Sequence, residues 1–280
     1  MRSSDATPEP STALTAVDSH AHVFVHGLPL APQRRHAPSY DATLADYLSL
    51  LDRHGVSHGV LVQPSFLGTD NAFLLDALRR ERARLRAVVM LDPSTSAQQL
   101  QELDALGVRG IRLNLVGLPI PDLRGDLWSR FLARLHALDW HVEVHREAVD
   151  LRQCVEPLLL AGCKVVVDHF GRPNSHVEGS DGGFEWLLTQ AATGRVWVKL
   201  AAAYRSWNEE DGMQSATAAT ALLAHFGPER LVWGSDWPHT QHRDRASFVS
   251  AQRALDRWIP DPDARRRILR DTPAALFRFS

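Results

Sequence analysis

The sequence predicts a single-domain α/β fold, a (β/α)8 TIM barrel, and three observations carry that reading. Short apolar, β-branched runs alternate eight times with longer segments of helical periodicity. Almost every run ends in one or more polar residues. No G-x-G-x-x-G follows the first run, which removes the main support for a dinucleotide-binding open sheet. Repeated strand–helix units imply parallel strands with right-handed crossovers. Their count does not separate a closed barrel from an open doubly wound sheet, but the polar strand ends do. In a barrel they converge on one mouth, whereas an open sheet spreads them along a wide edge.

In chain order, the predicted strands are Ala16–Ser19, Gly59–Gln63, Arg86–Leu91, Gly110–Asn114, His141–His145, Lys164–Asp168, Val196–Leu200 and Leu231–Gly234. The first helix, Thr43–His54, sets Leu44, Tyr47, Leu48 and Leu51 on one face, and Asn71–Arg82 does the same with Leu74, Leu75 and Leu78. Helices follow at Ala97–Leu106, Leu127–Leu138, Val149–Leu160 and Phe184–Ala192. Two more, Thr217–Phe226 and Phe248–Trp258, flank the last strand, and a C-terminal helix lies near Ala264–Leu269. Gly55, Gly107 and Gly162 stand where three helices should stop, since glycine takes the left-handed conformation at little cost.

The 280 residues show no composition break, so one domain is expected over 16–280. Residues 1–15, rich in Ser, Thr and Pro, read as a disordered tail. With 44% hydrophobic and 23% charged residues the chain can build a large core. The formal charge of −2 and the absence of like-charge blocks argue against a nucleic-acid or membrane partner. A small anionic substrate must then be held by a few local arginines. Cys154 and Cys163 form no C-x-x-C pair and read as inert buried thiols, which favours a reducing compartment. With no signal-like or membrane-spanning apolar run, a cytoplasmic location is expected. The stretches 176–183 and 206–212 follow strands six and seven and read as mobile loops covering the mouth.

The chemistry gathers at the strand ends. His20 and His22 close the first strand, and residues i and i+2 share a face, so both rings can point inward. His145 ends strand five, His169 follows strand six and Asp236 follows strand eight. A lone buried histidine is more often a hydrogen-bonded core residue, and Asp236 alone could cap a turn. Together, four histidines and a carboxylate at one mouth either ligate a divalent metal or polarise a carbonyl while the carboxylate activates water. Glu143 shares a face with His145 and reads as its buried partner; His239 and His242 read as loop residues, and Trp233 and Trp237 as packing.

The motifs DSHAHVF (18–24), DHFGRP (168–173) and WGSDWPHT (233–240) resemble the amidohydrolase superfamily, in its branch of lactonases and decarboxylases. HGVSHGVLVQPSFLGTDN (54–71) and GVRGIRLNLVG (107–117) are similar to the pyrone dicarboxylate lactonase group, and the likeness runs from about Ala16 to Phe277. The resemblance implies a hydrolase opening a small anionic lactone such as 2-pyrone-4,6-dicarboxylate, without a required cofactor. It casts Asp236 as the base for water and His20, His22 and His169 as polarisers of the carbonyl. Arg112, Arg172 and Arg205 would grip substrate carboxylates, and Tyr40 and Ser65 would add hydrogen bonds. The chain departs from the lactonase pattern at Leu118, where an arginine is expected, and at His145. With His20, His22 and Asp236, His145 could complete a site for one divalent metal, zinc by its donor set. No lysine ends strand four, so a two-metal site is not expected. Two rivals remain: a metal-dependent decarboxylase of an aromatic or muconate-type acid, and a non-catalytic binding barrel.

Overall fold

Eight parallel strands neighbour one another in chain order: β1 (Val17–Ala21), β2 (His58–Val62), β3 (Leu85–Val89), β4 (Val108–Asn114), β5 (His141–His145), β6 (Lys164–Val167), β7 (Val196–Leu200) and β8 (Leu231–Trp233). The structure is a computed structural model, and it describes residues 13–173, 181–207 and 212–279. Helices α1 (Leu44–Arg53), α2 (Ala72–Arg80), α3 (Ala97–Leu106), α4 (Asp126–Ala137), α5 (Ala148–Leu160), α6 (Gly182–Thr189), α7 (Met213–Phe226) and α8 (Phe248–Trp258) follow the strands in turn. This is the expected single-domain (β/α)8 barrel. Differences lie at the ends: α7 begins a turn before Thr217, and the last helix becomes α9 (Pro262–Arg266), a π segment and α10 (Thr272–Phe277). Residues 1–12 of the N-terminal tail, and the greater part of both covering loops, lie outside the described residues; Thr15 bonds to Ser57 and Gly55. No helix among the described residues is long and apolar enough to cross a membrane.

Sequence patterns account for the element ends. Thr43, Ser96 and Ser247 each form a capping box with the residue three positions on, satisfying donors that a helix start leaves free. Outward strand residues such as Leu61, Ile111, Val144 and Val165 pack under the helices in one continuous core. Inward residues Val17, Val60, Val88, Val166, Trp197 and Val232 fill the lower barrel, where Phe277 and Phe279 close the N-terminal mouth. Cys154 and Cys163 are buried and unpaired.

One irregularity in β1 aims the site. Asp18 pairs with Gly59 but Ala21 with Leu61, so three steps on β1 match two on β2. That extra residue is a β-bulge, and it resets the alternation between Val17, which faces the barrel axis, and His20, which then faces it too. Without it His20 and His22 would point out at the helices.

The barrel closes between β8 and β1 by a few bonds. Asp236 N donates to His20 O at 2.9 Å and His22 N to Trp237 O at 2.8 Å. Below them the buried Asp18 carboxylate accepts from Ser235 N (2.8 Å), Ser235 Oγ (2.6 Å), Tyr47 OH (3.1 Å) and His20 N (3.2 Å). Gly234 is required here, because a Cβ at that position would lie 2.5 Å from His20 Cβ. The closure brings Asp236 over His20.

Candidate active site

Asp236 stands on a turn in the left-handed region, at φ +59°, and His169, Phe170 and Arg172 share that conformation after β6. A non-glycine residue there costs of order 1–3 kcal/mol, which the surrounding contacts must hold. The strain places both side chains over the barrel axis.

The two oxygens of Asp236 have different surroundings. Oδ2 accepts from Arg205 Nε (2.9 Å), Arg205 Nη2 (2.7 Å) and Tyr204 OH (2.6 Å). Oδ1 is buried and has no hydrogen-bond partner. Around it stand three imidazole nitrogens, Nε2 of His20 at 3.6 Å, of His22 at 3.8 Å and of His169 at 4.0 Å. Burial alone would raise the pKa of Asp236, but Arg205 and the histidines overcome it and hold the carboxyl well below its usual range. Asp236 is therefore ionised, with one bare oxygen.

Each histidine has its own polarity. His22 Nδ1 lies 2.7 Å from Val62 O, so Nδ1 carries the proton and Nε2 offers a lone pair. Burial and then Arg112 push its pKa down to about 4, and burial pushes His169 down to about 3. Neutral at pH 7, His22 accepts rather than donates. Toward Asp236 it therefore turns a lone pair, where the resemblance implies a group that polarises a carbonyl. His145 sits on the far side of His169, with Nδ1 3.4 Å from Arg112 and Nε2 3.5 Å from Arg172.

Beneath the histidines lies a layer of buried charge. Asp168 Oδ2 accepts from Arg112 Nε (3.2 Å) and Nη2 (3.0 Å), and Lys199 Nζ donates to Glu143 Oε2 at 2.5 Å. Glu143 is pushed up to about 8 by burial and by the Asp168 charge; for Asp168 burial acts upward too, but Lys199, His20 and Arg112 hold it well below its usual range. Glu143 thus holds its proton near neutral pH, and the Asp168 charge persists out of water because Lys199 and Arg112 stand against it.

A cavity of about 450 Å³, counting its open mouth, stands above this layer, and His22, Ser65, Arg112, His145, His169, Arg205 and Asp236 line it. His20 lies under its floor. Three expected substrate-binding residues stand differently. Arg205 is cast as a substrate grip, but its fork is committed to Asp236. Arg172 and Tyr40 do not line the cavity: Arg172 donates to Arg205 O at 3.2 Å, and Tyr40 packs on Phe24 beneath the Arg243 guanidinium. Leu118 is partly exposed and away from the wall.

Residues to which the sequence reading assigns no role are Arg35, His36, Asn114, Thr240 and Gln241 on the wall, Tyr204 behind Asp236 and Lys199 below His20; of these Asn114 and Lys199 stand out in the sequence only as polar strand ends. Arg35 bonds Asn114 Oδ1 at 2.9 Å. Its signal was its place, since loops after strand ends border the mouth.

Among the described residues, three groups could hold a metal ion, with donor atoms within 4.8 Å of one another: His20, His169 and Asp236; His145, Asp168 and His169; and His20, Glu143 and Asp168. His145 thus groups with Asp168 rather than with His20, His22 and Asp236.

A barrel with this strand-end constellation defines an amidohydrolase-type protein, and the chain belongs to the amidohydrolase family, whose profile matches residues 17–279. It is 31% identical to the 4-sulfomuconolactone hydrolase of Rhizobium radiobacter over 94% of this chain and 89% of the relative. It is 30% identical to the 2-pyrone-4,6-dicarboxylate hydrolase of Comamonas testosteroni, over 94% and 90%. A solved structure of a candidate 2-pyrone-4,6-dicarboxylic acid hydrolase from Pseudomonas putida is 49% identical, with a TM-score of 0.90, over 96% of this chain and 99% of that one.

Proposed function

We propose that this chain is a lactone hydrolase that opens the ring ester of a small anionic lactone, of the type of 2-pyrone-4,6-dicarboxylate. The observation that carries the proposal is the bare Oδ1 of Asp236, held ionised from behind by Arg205 and Tyr204 and ringed by imidazole nitrogens. A water between Asp236 Oδ1 and His22 Nε2 meets two acceptors, which leaves its oxygen lone pair free to attack. Asp236 takes the proton as the C–O bond forms, and the N–H groups of His20 and His169 face the developing oxyanion. The ring C–O bond then breaks, and the leaving oxygen takes the proton back.

The cationic wall suits an anionic ring. Arg112 and Arg35 border the cavity; Arg112 spends its Nε–Nη2 edge on Asp168 and so lends the wall its charge, while Arg35 at the rim offers a guanidinium that can match a carboxylate in shape and charge. The relatives named above act on lactones carrying sulfo or carboxylate groups by their names, in keeping with such a wall.

The donor spacing around Asp236 Oδ1 also suits one divalent ion, zinc by its nitrogen and oxygen donors, with His20, His169 and Asp236 as the holding group. A bound ion would supply Lewis-acid polarisation of the carbonyl. The test is to purify the protein without added metal, quantify bound metal, and follow ring absorbance over a panel of anionic lactones with and without chelator. Ring opening that persists in chelator supports the cofactor-free reading. Release of carbon dioxide from an aromatic or muconate-type acid, with no lactone turned over, would overturn the hydrolase reading.

A further inference from the structure

Lys199 is buried below the site and has no place in the hydrolytic scheme above. Its Nζ meets three partners: Glu143 Oε2 at 2.5 Å, His20 Nδ1 at 3.0 Å and Asp168 Oδ1 at 3.4 Å. An ammonium has three N–H donors and no acceptor; two of them meet Glu143 and His20, and Asp168 Oδ1 at 3.4 Å pairs with the charge without a hydrogen bond. The contact to His20 then fixes the direction of that hydrogen bond.

We infer that Lys199 is a positioning residue that holds His20 with its proton on Nε2, making His20 the donor of the site and disfavouring it as a metal ligand. The competing arrangement puts the proton on Nδ1 and sends it to Asp168 at 3.4 Å or Glu143 at 3.5 Å. It would press an N–H against an ammonium N–H at 3.0 Å, the shorter distance. It would also turn the Nε2 lone pair toward the bare Asp236 Oδ1 at 3.6 Å, acceptor against acceptor. With the proton on Nε2 both conflicts vanish. His20 Nε2 and Asp236 Oδ1 are both buried and unpartnered, a donor and an acceptor facing the space where the carbonyl and the water would sit.

His22 shows the opposite choice on the same strand, since its Nδ1 proton goes to Val62 O. That is the usual arrangement of a metal-binding histidine, whose outer N–H rests on a carbonyl or carboxylate. His20 has two carboxylates within reach of Nδ1, and Lys199 stands between them. Removing the lysine's charge leaves those carboxylates to take the Nδ1 proton and frees Nε2 to bind a metal. One side chain thus selects between oxyanion binding and metal binding.

The test is a long-range 1H–15N correlation spectrum of 15N-histidine-labelled protein without metal, with the His20 signals identified by their loss in His20→Gln. The wild type should show His20 protonated at Nε2. Lys199→Met should move the proton to Nδ1 and tighten zinc binding, titrated as the free ion, by tenfold or more, a gain absent from Lys199→Met/His20→Gln. A wild-type spectrum with His20 protonated at Nδ1 overturns the inference even when the variant does not fold. A folded Lys199→Met protein with an unchanged tautomer and unchanged zinc affinity overturns it as well. Only the kinetic arm rests on the hydrolase reading: with a lactone substrate, loss of the donor should lower kcat by roughly 100-fold or more while KM changes little. Failure of the protein to turn over any lactone would count against that reading and leave the tautomer result standing.

Discussion

Two carboxylates flank the join between β8 and β1, and they are built in opposite ways. Asp18 has both oxygens filled by four donors that come from three elements, and it ties the barrel shut. Asp236, next to the same join, has one oxygen filled three times over and the other left bare. Burial dominates at Asp18 and pushes its pKa up to about 6, whereas cations win at Asp236 and keep it ionised. A fully satisfied buried carboxylate is a structural tie. A half-satisfied one beside a cavity is free to act as a reagent.

The sharpest way to break this contrast is at the reagent. Asp236→Asn keeps a carbonyl oxygen for Arg205 and Tyr204, so the fold should survive, with a melting temperature within about 5 °C of wild type. Activity toward an anionic lactone should fall by about 10²–10⁴-fold in kcat, the range for losing a general base. Full activity in this variant would sink the assignment.

Asp18→Ala attacks the tie. It strands the Ser235 N–H and opens a small void, costing about 3 kcal/mol. For a chain of this size that lowers the melting temperature by roughly 5–10 °C, read by calorimetry. A variant as stable as wild type would mean the join is held elsewhere.

Acid sharpens the comparison by titrating both kinds of group. His22, His169, His141 and His239 have folded pKa values pushed down to between about 3 and about 4, in each case chiefly by burial, from an unfolded value near 6.5. Between pH 6.5 and 4 the unfolded chain binds more protons at these sites, so stability falls as pH falls. Asp18 and Glu143 act in the opposite sense, because pKa values raised to about 6 and about 8 let the folded state hold a proton that the unfolded chain releases. Four histidines outweigh two carboxyls, and thermal scans should show lower stability at pH 5 than at pH 7. Stability that rises toward pH 5 would contradict this balance.

The smallest effect expected is at the wall. Arg35→Gln should raise KM for a dicarboxylate lactone by about tenfold, the weight of one charge-assisted pair, and change kcat little. A monoanionic analogue should lose less. Equal losses for both would show that Arg35 does not read the second charge.

The barrel and the residues at its mouth were legible because strand ends must converge in a closed parallel sheet. His20, His22, His169, Asp236 and Arg112 follow from position alone. What position does not reveal is which partner a side chain takes across the barrel. Arg205 looks like a free grip until Asp236 Oδ2 is seen in its fork, and Lys199 reads as one more polar strand end until His20 and Glu143 meet it. The bulge in β1 is invisible for a different reason. Residues i and i+2 share a face on either side of it, so the His20–His22 spacing is the same whether or not the strand has been reset.

The join between β8 and β1 carries a cost in time. Asp18 and Ser235 are 217 residues apart. At a synthesis rate of about 5–20 residues per second, β1 waits roughly 10–40 s on the ribosome before β8 emerges beside it. Through that interval the edge that will receive β8 is an open row of backbone donors and acceptors, the kind of surface that other nascent strands can join. The molecule is thus most vulnerable during its own production, and the edge at risk is the one on which its chemistry is later assembled.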